Sequence, residues 1–217
     1  MSAPLTMKLK EPSDPDAIAD RSIIRDLIEN WVIWRDSGNW EQFATLWHDD
    51  GQMVATWCQM SAADFVAACR RSFEAGATAL HTLGGSSIEL AGNRAVSHTK
   101  MQILVQGPLE GVAVNSTCVG RFVDAWEKRD GKWGLVLRHP IYELDWLAPV
   151  DPSAKVELDA DLLASFPFGY RHIAYLQTKM GFEVNPALPG TRGPEADALR
   201  ARMKAWLAGG STSDLHP

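Results

Sequence analysis

The sequence of 217 residues lacks several features that define broad functional classes. Its formal net charge is −6 and it has no run of Lys and Arg, so it offers no footprint for nucleic-acid phosphates. It has no stretch of about 18 apolar residues, which a membrane-spanning helix needs. Its first residues mix Pro, Lys, Glu and Asp and do not resemble a secretory leader. We therefore expect a cytoplasmic protein with no nucleic-acid or membrane partner.

Metal and phosphate motifs are also missing. Three cysteines, Cys58, Cys69 and Cys118, leave one unpaired and match no metal-ligand spacing, as in a reducing compartment. The six histidines form no close pair and have no cluster of cysteines or carboxylates among them, so we expect no metal site. Gly84-Gly85 does not follow the strand-to-helix pattern of a phosphate loop. The sequence thus predicts chemistry without a cofactor.

The most informative stretch is an amphipathic helix that ends in a carboxylate. Apolar residues recur at three- and four-residue spacing and predict a helix from Asp16 to Asp36: Ile24, Leu27, Ile28, Trp31 and Trp34. Ser37-Gly38 follows as a stop signal. A carboxylate at the end of a buried helix is costly unless a partner satisfies it. Our hypothesis is that His81 is this partner.

The remaining elements predict an α+β fold. A short helix follows Asn39, a first strand covers Gln52–Cys58, and a third helix covers Ala62–Ala75. Four longer strands, separated by turn residues, are predicted at His81–Leu90, Arg94–Gln106, Val112–Lys128 and Lys132–Tyr142. Strands of this length must curl. We therefore predict a cone-shaped barrel of curved antiparallel sheet, packed against three N-terminal helices and enclosing a cavity.

After Pro149 the pattern changes to short helical stretches with Pro- and Gly-rich links. We predict helices at Asp159–Ser165, Tyr170–Met180 and Pro194–Leu207. This gives a core domain at residues 16–149 and a C-terminal helical extension at 150–217. Residues 1–15 are expected to form a loose arm, and residues 209–217 are expected to be disordered.

Several of these segments resemble the SnoaL-like branch of the nuclear transport factor 2-like superfamily. They are the helix that ends at Asp36, Leu46-Trp47-His48-Asp49-Asp50-Gly51, and the hairpin from Phe122 to Trp133. The resemblance covers about residues 16–146 and implies a cone-shaped α+β barrel with a deep pocket. Function varies widely within that superfamily.

Within the branch, the chain resembles the hexachlorocyclohexane dehydrochlorinases, bile-acid 7α-dehydratases, scytalone dehydratases and diarylpropane γ-formaldehyde lyases. The resemblance implies that Asp36 orients His81, which acts as the base, and that Arg138 assists on the strand after Asp130-Gly131. One position departs: Trp31 stands where the dehydrochlorinase has a Lys and the bile-acid enzyme a Tyr. An indole donates a hydrogen bond but cannot transfer a proton in this role.

Each of these residues also has a purely structural interpretation. His81 could pack under the mouth of the barrel, and Asp36-Ser37-Gly38 could be a solvated turn. Arg138 and His139 are adjacent on a strand, so only one can face the cavity; we expect Arg138 there and His139 facing outward or into a subunit contact. The alternative is a surface Arg138 paired with Glu143 or Asp145.

The substrate-binding residues are predicted from strand positions and aromatic character. Asn115 and Thr117 share one strand face and could hold substrate hydroxyls, or they could lie on an exposed face. Four aromatic residues could wall the cavity or belong to the plain core: Trp31, Trp57, Phe122 and Tyr142.

Together these features predict a cofactor-independent lyase that acts on a hydrophobic, aromatic small molecule, such as a lignin-derived diarylpropane or a polycyclic alcohol. The alternatives are a double-bond isomerase with the same base and a non-catalytic ligand-binding or assembly module. Apolar residues on both faces of the long strands also predict a homo-oligomer, a trimer or dimer.

Overall fold

A computed structural model describes residues 14–215 of the chain. Its first part runs in the order α1 (Pro15–Asp36), α2 (Trp40–Ala44), β1 (Trp47–Ala55), β2 (Cys58–Ser61), α3 (Ala62–Glu74), β3 (Thr78–Ala91), β4 (Arg94–Leu109), β5 (Val112–Arg129) and β6 (Lys132–Pro149). Its second part contains α4 (Ala160–Ala164), α5 (Arg171–Lys179), α6 (Pro194–Leu207) and a 3₁₀ helix (Thr212–Leu215). No helix in the described part is long and apolar enough to cross a membrane.

Helix α1 has clear start and stop signals. The carboxylate of Asp14 accepts hydrogen bonds from the backbone of Asp16 and Ala17, and Pro15 occupies the first turn. At the other end, Gly38 adopts a φ of +75°, which a residue with a side chain rarely adopts. This stop places Asp36 in the last turn of α1 and directs the chain back toward α2.

The six strands form one curved sheet in the order β2-β1-β6-β5-β4-β3. The prediction of an α+β fold, with a curved sheet packed against N-terminal helices, is confirmed. The sheet stays open, because its edge strands β2 and β3 do not pair with each other. Helices α1 and α3 pack across the concave face instead. The sheet is also mixed, because β1 and β6 are parallel, whereas all other neighbouring strands of the sheet are antiparallel.

All five predicted strands extend beyond a predicted end, and the longest extensions include those of β1, β3 and β6. β1 begins at Trp47, which pairs with Leu135, and β3 begins at Thr78, which pairs with Gln106. β6 continues to Pro149 because its end pairs with the start of β5 at Val114. The ends of these strands are polar or contain Pro, so the hydrophobic pattern does not reveal them. Pairing with neighbouring strands, and not burial alone, stabilises these ends.

The two faces of the sheet have different environments. Ile103 and Cys118 are directly paired and both point to the concave face, together with Phe122 on the same strand. Leu104 and Thr117 pair on the convex face next to Trp146. The main core therefore lies between the concave face and the N-terminal helices.

The C-terminal extension packs on both faces. Helix α5 contacts β4, β5 and β6 and reaches over the open end of the concave face, whereas α6 contacts the convex side of β4. The predicted disorder after residue 209 is wrong for the 3₁₀ helix, because Leu215 is buried. The predicted arm at 1–15 lies mostly outside the described residues, and the division at residues 149 and 150 stays a prediction.

Candidate functional site

Asp36 and His81 form the pair that the sequence analysis hypothesised. The Nδ1 atom of His81 lies 2.9 Å from Oδ1 of Asp36, and the backbone N–H of His81 donates to Oδ2 at 2.6 Å. The end of α1 supplies the carboxylate and the start of β3 supplies the histidine. Both oxygens of one carboxylate therefore fix the ring and its backbone.

This geometry determines the tautomer of His81. A carboxylate only accepts hydrogen bonds, so Nδ1 carries the proton and the lone pair lies on Nε2. Among residues 14–215, Nε2 has no hydrogen-bond partner, and His81 lines a cavity. The ring of Trp31 stands edge-on to the imidazole, with ring centroids 5.2 Å apart, and restricts its rotation.

The surroundings keep this imidazole neutral. Burial lowers the pKa of His81 below its usual value, and the charges of Arg35 and Arg138 lower it further. The hydrogen bond that His81 donates to Asp36, and the charge of that carboxylate, oppose this shift. Burial raises the pKa of Asp36, but the hydrogen bond and charge of His81 and the charge of Arg35 outweigh it and leave that pKa low. At neutral pH the pair is a carboxylate beside a neutral imidazole, which can accept a proton.

The cavity lies on the concave face under α5. Its walls are mainly aromatic and aliphatic, and they include all four aromatic residues proposed as walls: Trp31, Trp57, Phe122 and Tyr142. We call it the inner cavity. A second cavity, the outer cavity, lies nearer the surface and shares five residues with it: Arg35, Trp57, Ala79, Val105 and Gln177. The inner cavity, which His81 lines, therefore adjoins the outer one.

Arg138 faces the concave side, but it lies behind the cavity wall. It is fully buried and donates to both oxygens of Asp124, from Nε and Nη2, at 2.8 Å each. Its guanidinium is 4.4 Å from the ring centroid of Trp31 and 4.2 Å from that of Phe122. The surface alternative is wrong: Glu143 pairs with Lys100 and Arg121, and Asp145 with His172.

His139 points away from the cavity, as expected, but it is buried rather than exposed. Its neighbourhood is the convex face under α6, where burial and the charge of Arg202 lower its pKa to about 4 despite a bond to the backbone of Pro140. A helix of the same chain therefore covers this position.

Asn115 and Thr117 do not line either cavity, so their predicted role as substrate ligands is wrong. Both lie on the face of β5 opposite Cys118, and Asn115 accepts a hydrogen bond from Gln106 at 3.0 Å. The prediction that Asn115 and Thr117 share one face of the strand is confirmed. Which face is concave depends on the register with β4, which a single strand does not reveal.

Among the lining residues that were not predicted are Arg35, Ile173 and Gln177. Arg35 precedes Asp36, donates to it from Nη1 at 2.9 Å, and also donates to the carbonyl of Ala79. The only indication of its role in the sequence is that it directly precedes Asp36. Ile173 and Gln177 lie four residues apart on α5, and no local pattern indicates that this helix reaches the cavity.

The profile of the SnoaL-like domain family matches residues 16–139, more than half of the chain, including Asp36, His81 and Arg138. The chain belongs to the SnoaL-like family. The resemblance inferred from the sequence is thus confirmed at the level of the family. No group of three or more His, Cys, Asp or Glu side chains that could hold a metal ion occurs among residues 14–215 of this SnoaL-like protein.

Fungal proteins resemble this SnoaL-like chain over most of its length. Pea pathogenicity protein 2 of Fusarium vanettenii is 34% identical over 90% of this chain and 89% of its own. An uncharacterized protein of Emericella nidulans is 32% identical over 88% of this chain and 87% of its own. Both alignments reach beyond the SnoaL-like domain into the C-terminal extension.

Solved structures share the fold at low sequence identity. A type 2 hexachlorocyclohexane dehydrochlorinase superposes with a TM-score of 0.54 at 16% identity, over 68% of this chain and 97% of that chain. A scytalone dehydratase candidate from Novosphingobium aromaticivorans gives a TM-score of 0.51 at 14% identity, over 64% and 97%. These likenesses support the nuclear transport factor 2-like fold.

Proposed function

We propose that this protein is a cofactor-independent lyase that acts on a hydrophobic, aromatic small molecule. The observation that carries the proposal is the free Nε2 atom of His81, because the other ring nitrogen is held by Asp36 and the ring lines a largely apolar cavity. A purely structural pair has no need to face a cavity. This arrangement favours the enzyme over a non-catalytic module.

In the proposed reaction His81 removes a proton from the substrate at Nε2. In an elimination, the electron pair of the broken C–H bond forms the new double bond, and the leaving group departs with its own bonding pair. In a release of formaldehyde, the proton comes from a hydroxymethyl O–H, whose electron pair forms the C=O bond of formaldehyde. The electron pair of the broken C–C bond then forms the new C=C bond, as a leaving group on the next carbon departs with its own bonding pair. Asp36 stabilises the resulting imidazolium, and the protonated His81 can return the proton to the departing group.

Charge near the site supports the first step. Arg35 lines the cavity and Arg138 lies behind Trp31 and Phe122, so both can stabilise negative charge that develops on the substrate. Arg138 acts through space, because Asp124 holds two of its nitrogens. Because the indole of Trp31 cannot transfer a proton, the leaving group must receive its proton from another group, such as protonated His81.

The test is a screen of diarylpropanes, polycyclic alcohols and polyketide-like phenols with mass analysis of the products. A loss of the mass of water, an acid or formaldehyde is the expected result, and it must depend on His81. An unchanged mass with a shifted double bond would identify an isomerase with the same base. A screen in which no compound is converted, but some bind, would identify the binding module.

The assembly of the protein stays a proposal. Three large apolar side chains on the convex face remain 44–51% exposed: Leu80, Leu144 and Trp146. The extension covers another part of this face, so we propose that a second copy covers these residues in a homo-oligomer. Sedimentation of the full chain should show a dimer or trimer, and a monomer at micromolar concentration would contradict this.

A further inference from the structure

Gln177 is a buried polar residue at a position where an apolar one would pack without cost. It lies on α5, only 6% of its surface is exposed, and its Oε1 atom is buried with no hydrogen-bond partner among residues 14–215. A buried acceptor left unpaired costs about 1–3 kcal/mol. Such an atom calls for a partner that enters the site from outside the chain.

The location of Gln177 indicates where that partner sits. Gln177 lines both the inner and the outer cavity, as does Arg35 on the opposite wall. The Nε atom of Arg35 is likewise buried without a partner in the described part of the chain. The lining shared by the two cavities thus carries one unused acceptor, on Gln177, and one unused donor, on Arg35. The indole N–H of Trp31, which lines the inner cavity, is a further unused donor.

The helix that carries Gln177 is firmly anchored. Asp145 of β6 accepts hydrogen bonds from the backbone N–H groups of His172 and Ile173, at 2.6 and 2.8 Å, at the first turn of α5. Ile173 and Gln177 are one turn apart and both face the cavity. The fold therefore fixes the backbone that presents Gln177 to the cavity.

We propose that Gln177 is a substrate-binding residue that accepts a hydrogen bond from a hydroxyl group on an aromatic substrate. A hydroxyl can donate to Oε1 and also accept from a donor such as Arg35, so it matches both unused atoms. This inference rests on the proposed lyase function and specifies its substrate class as hydroxylated aromatic molecules. It also makes the C-terminal extension part of the site.

The experiment compares the binding of 2-naphthol with that of its methyl ether, 2-methoxynaphthalene, which has the same ring but no O–H donor. Binding to the full chain is followed by quenching of Trp fluorescence, since Trp31 and Trp57 line the cavity. We expect 2-naphthol to bind more tightly than the ether to the unchanged protein. Gln177→Leu should weaken 2-naphthol binding by about 3- to 10-fold, the effect of one neutral hydrogen bond, and change ether binding by less than about 2-fold.

Gln102→Leu is the matched control, because Gln102 lies on the convex face of β4 and lines neither cavity. It should leave both affinities unchanged. Gln177→Leu should also unfold at the same temperature as the unchanged protein or a higher one, because it removes an unpaired polar group. A marked loss of stability would show that Gln177 has a structural role and would overturn the proposal.

The proposal is also overturned if the unchanged protein binds neither probe, binds both equally, or if Gln177→Leu weakens both to the same extent. The proposed function is read out separately by turnover in His81→Ala. If His81→Ala is inactive while Gln177→Leu binds both probes as tightly as the unsubstituted protein, this inference alone is overturned. An active His81→Ala protein would overturn the lyase mechanism while leaving the binding result intact.

Discussion

Two Asp–His pairs in this protein share their geometry and differ in their surroundings. In both, Nδ1 of the histidine lies 2.8–2.9 Å from one carboxylate oxygen, and the second oxygen accepts from the backbone N–H of the same histidine. His81 lines the inner cavity and His172 lines neither cavity. The hydrogen bonds alone therefore do not identify a catalytic pair.

The second pair serves the fold. Asp145 also accepts from the backbone of Ile173, so its carboxylate caps the first turn of α5 and attaches that helix to β6. Asp36, by contrast, lies at the C-terminal end of α1, where a carboxylate is unfavourable for the helix dipole. A residue that is unfavourable for its own helix and faces a cavity is better explained by chemistry.

The largest expected effect is the loss of turnover when either member of the Asp36–His81 pair is replaced. His81→Ala and Asp36→Ala should each lower turnover by about 10²- to 10⁴-fold, because positioned proton transfer contributes on that order. The folds should remain intact by circular dichroism. His98→Ala is the control, since His98 lies on the convex face and should keep full turnover. Near-full activity in either dyad variant on a true substrate would refute the assignment.

The next largest effect is a difference in stability between variants of the two pairs. Asp145→Asn removes a buried charge that accepts three hydrogen bonds and should lower the free energy of unfolding by about 3 kcal/mol. Asp36→Asn, which affects a partly exposed carboxylate, should cost less. Urea unfolding of both variants measures the difference. Equal losses would show that Asp36 is as structural as Asp145.

The sequence predicted the Asp36–His81 pair because its two members stand at positions that the resemblance marks. It could not predict the second pair, since Asp145 and His172 meet only when β6 extends to Pro149 and α5 folds back. Strand alternation showed that only one of Arg138 and His139 faces the concave side, and the resemblance indicated that it is Arg138. Its partner Asp124 depends on the pairing of β5 with β6, and no local pattern contains that register.

A third histidine shows what happens without a carboxylate. Burial lowers the pKa of His139 to about 4, so its unfolded form binds more protons than its folded form between about pH 6.5 and pH 4. Stability is full above the unfolded pKa and falls as the pH drops through this window. This residue alone should cost about 2 kcal/mol between pH 7 and pH 5.

His139→Gln should therefore lose less stability than the unchanged protein over the same pH range. Urea unfolding at pH 7 and pH 5 measures the change. His81 also has a lowered pKa and contributes in the same direction, so the variant keeps part of the pH dependence. An identical pH dependence in both proteins would show that His139 is not held neutral by burial.

The smallest expected effect is a displacement of the pH profile of kcat/KM. Because the pKa of His81 is lowered, activity should hold at neutral pH and fall only on acidification below about pH 6.5. Asp36 raises this pKa, so residual activity in Asp36→Asn should fall at still lower pH. Arg35 lowers it, so Arg35→Gln should move the fall toward neutral pH. Shifts of the opposite sign would contradict the electrostatic account.

The central claim is that His81 is a neutral base with its proton on Nδ1 and a free lone pair on Nε2. Nitrogen-15 NMR of histidine-labelled protein at pH 7, assigned with His81→Gln, reads this state directly. We predict a protonated Nδ1 and an unprotonated Nε2 for His81, and a shift at Nε2 when a hydroxylated aromatic ligand is added. A doubly protonated ring, or a proton on Nε2 alone, would contradict the account.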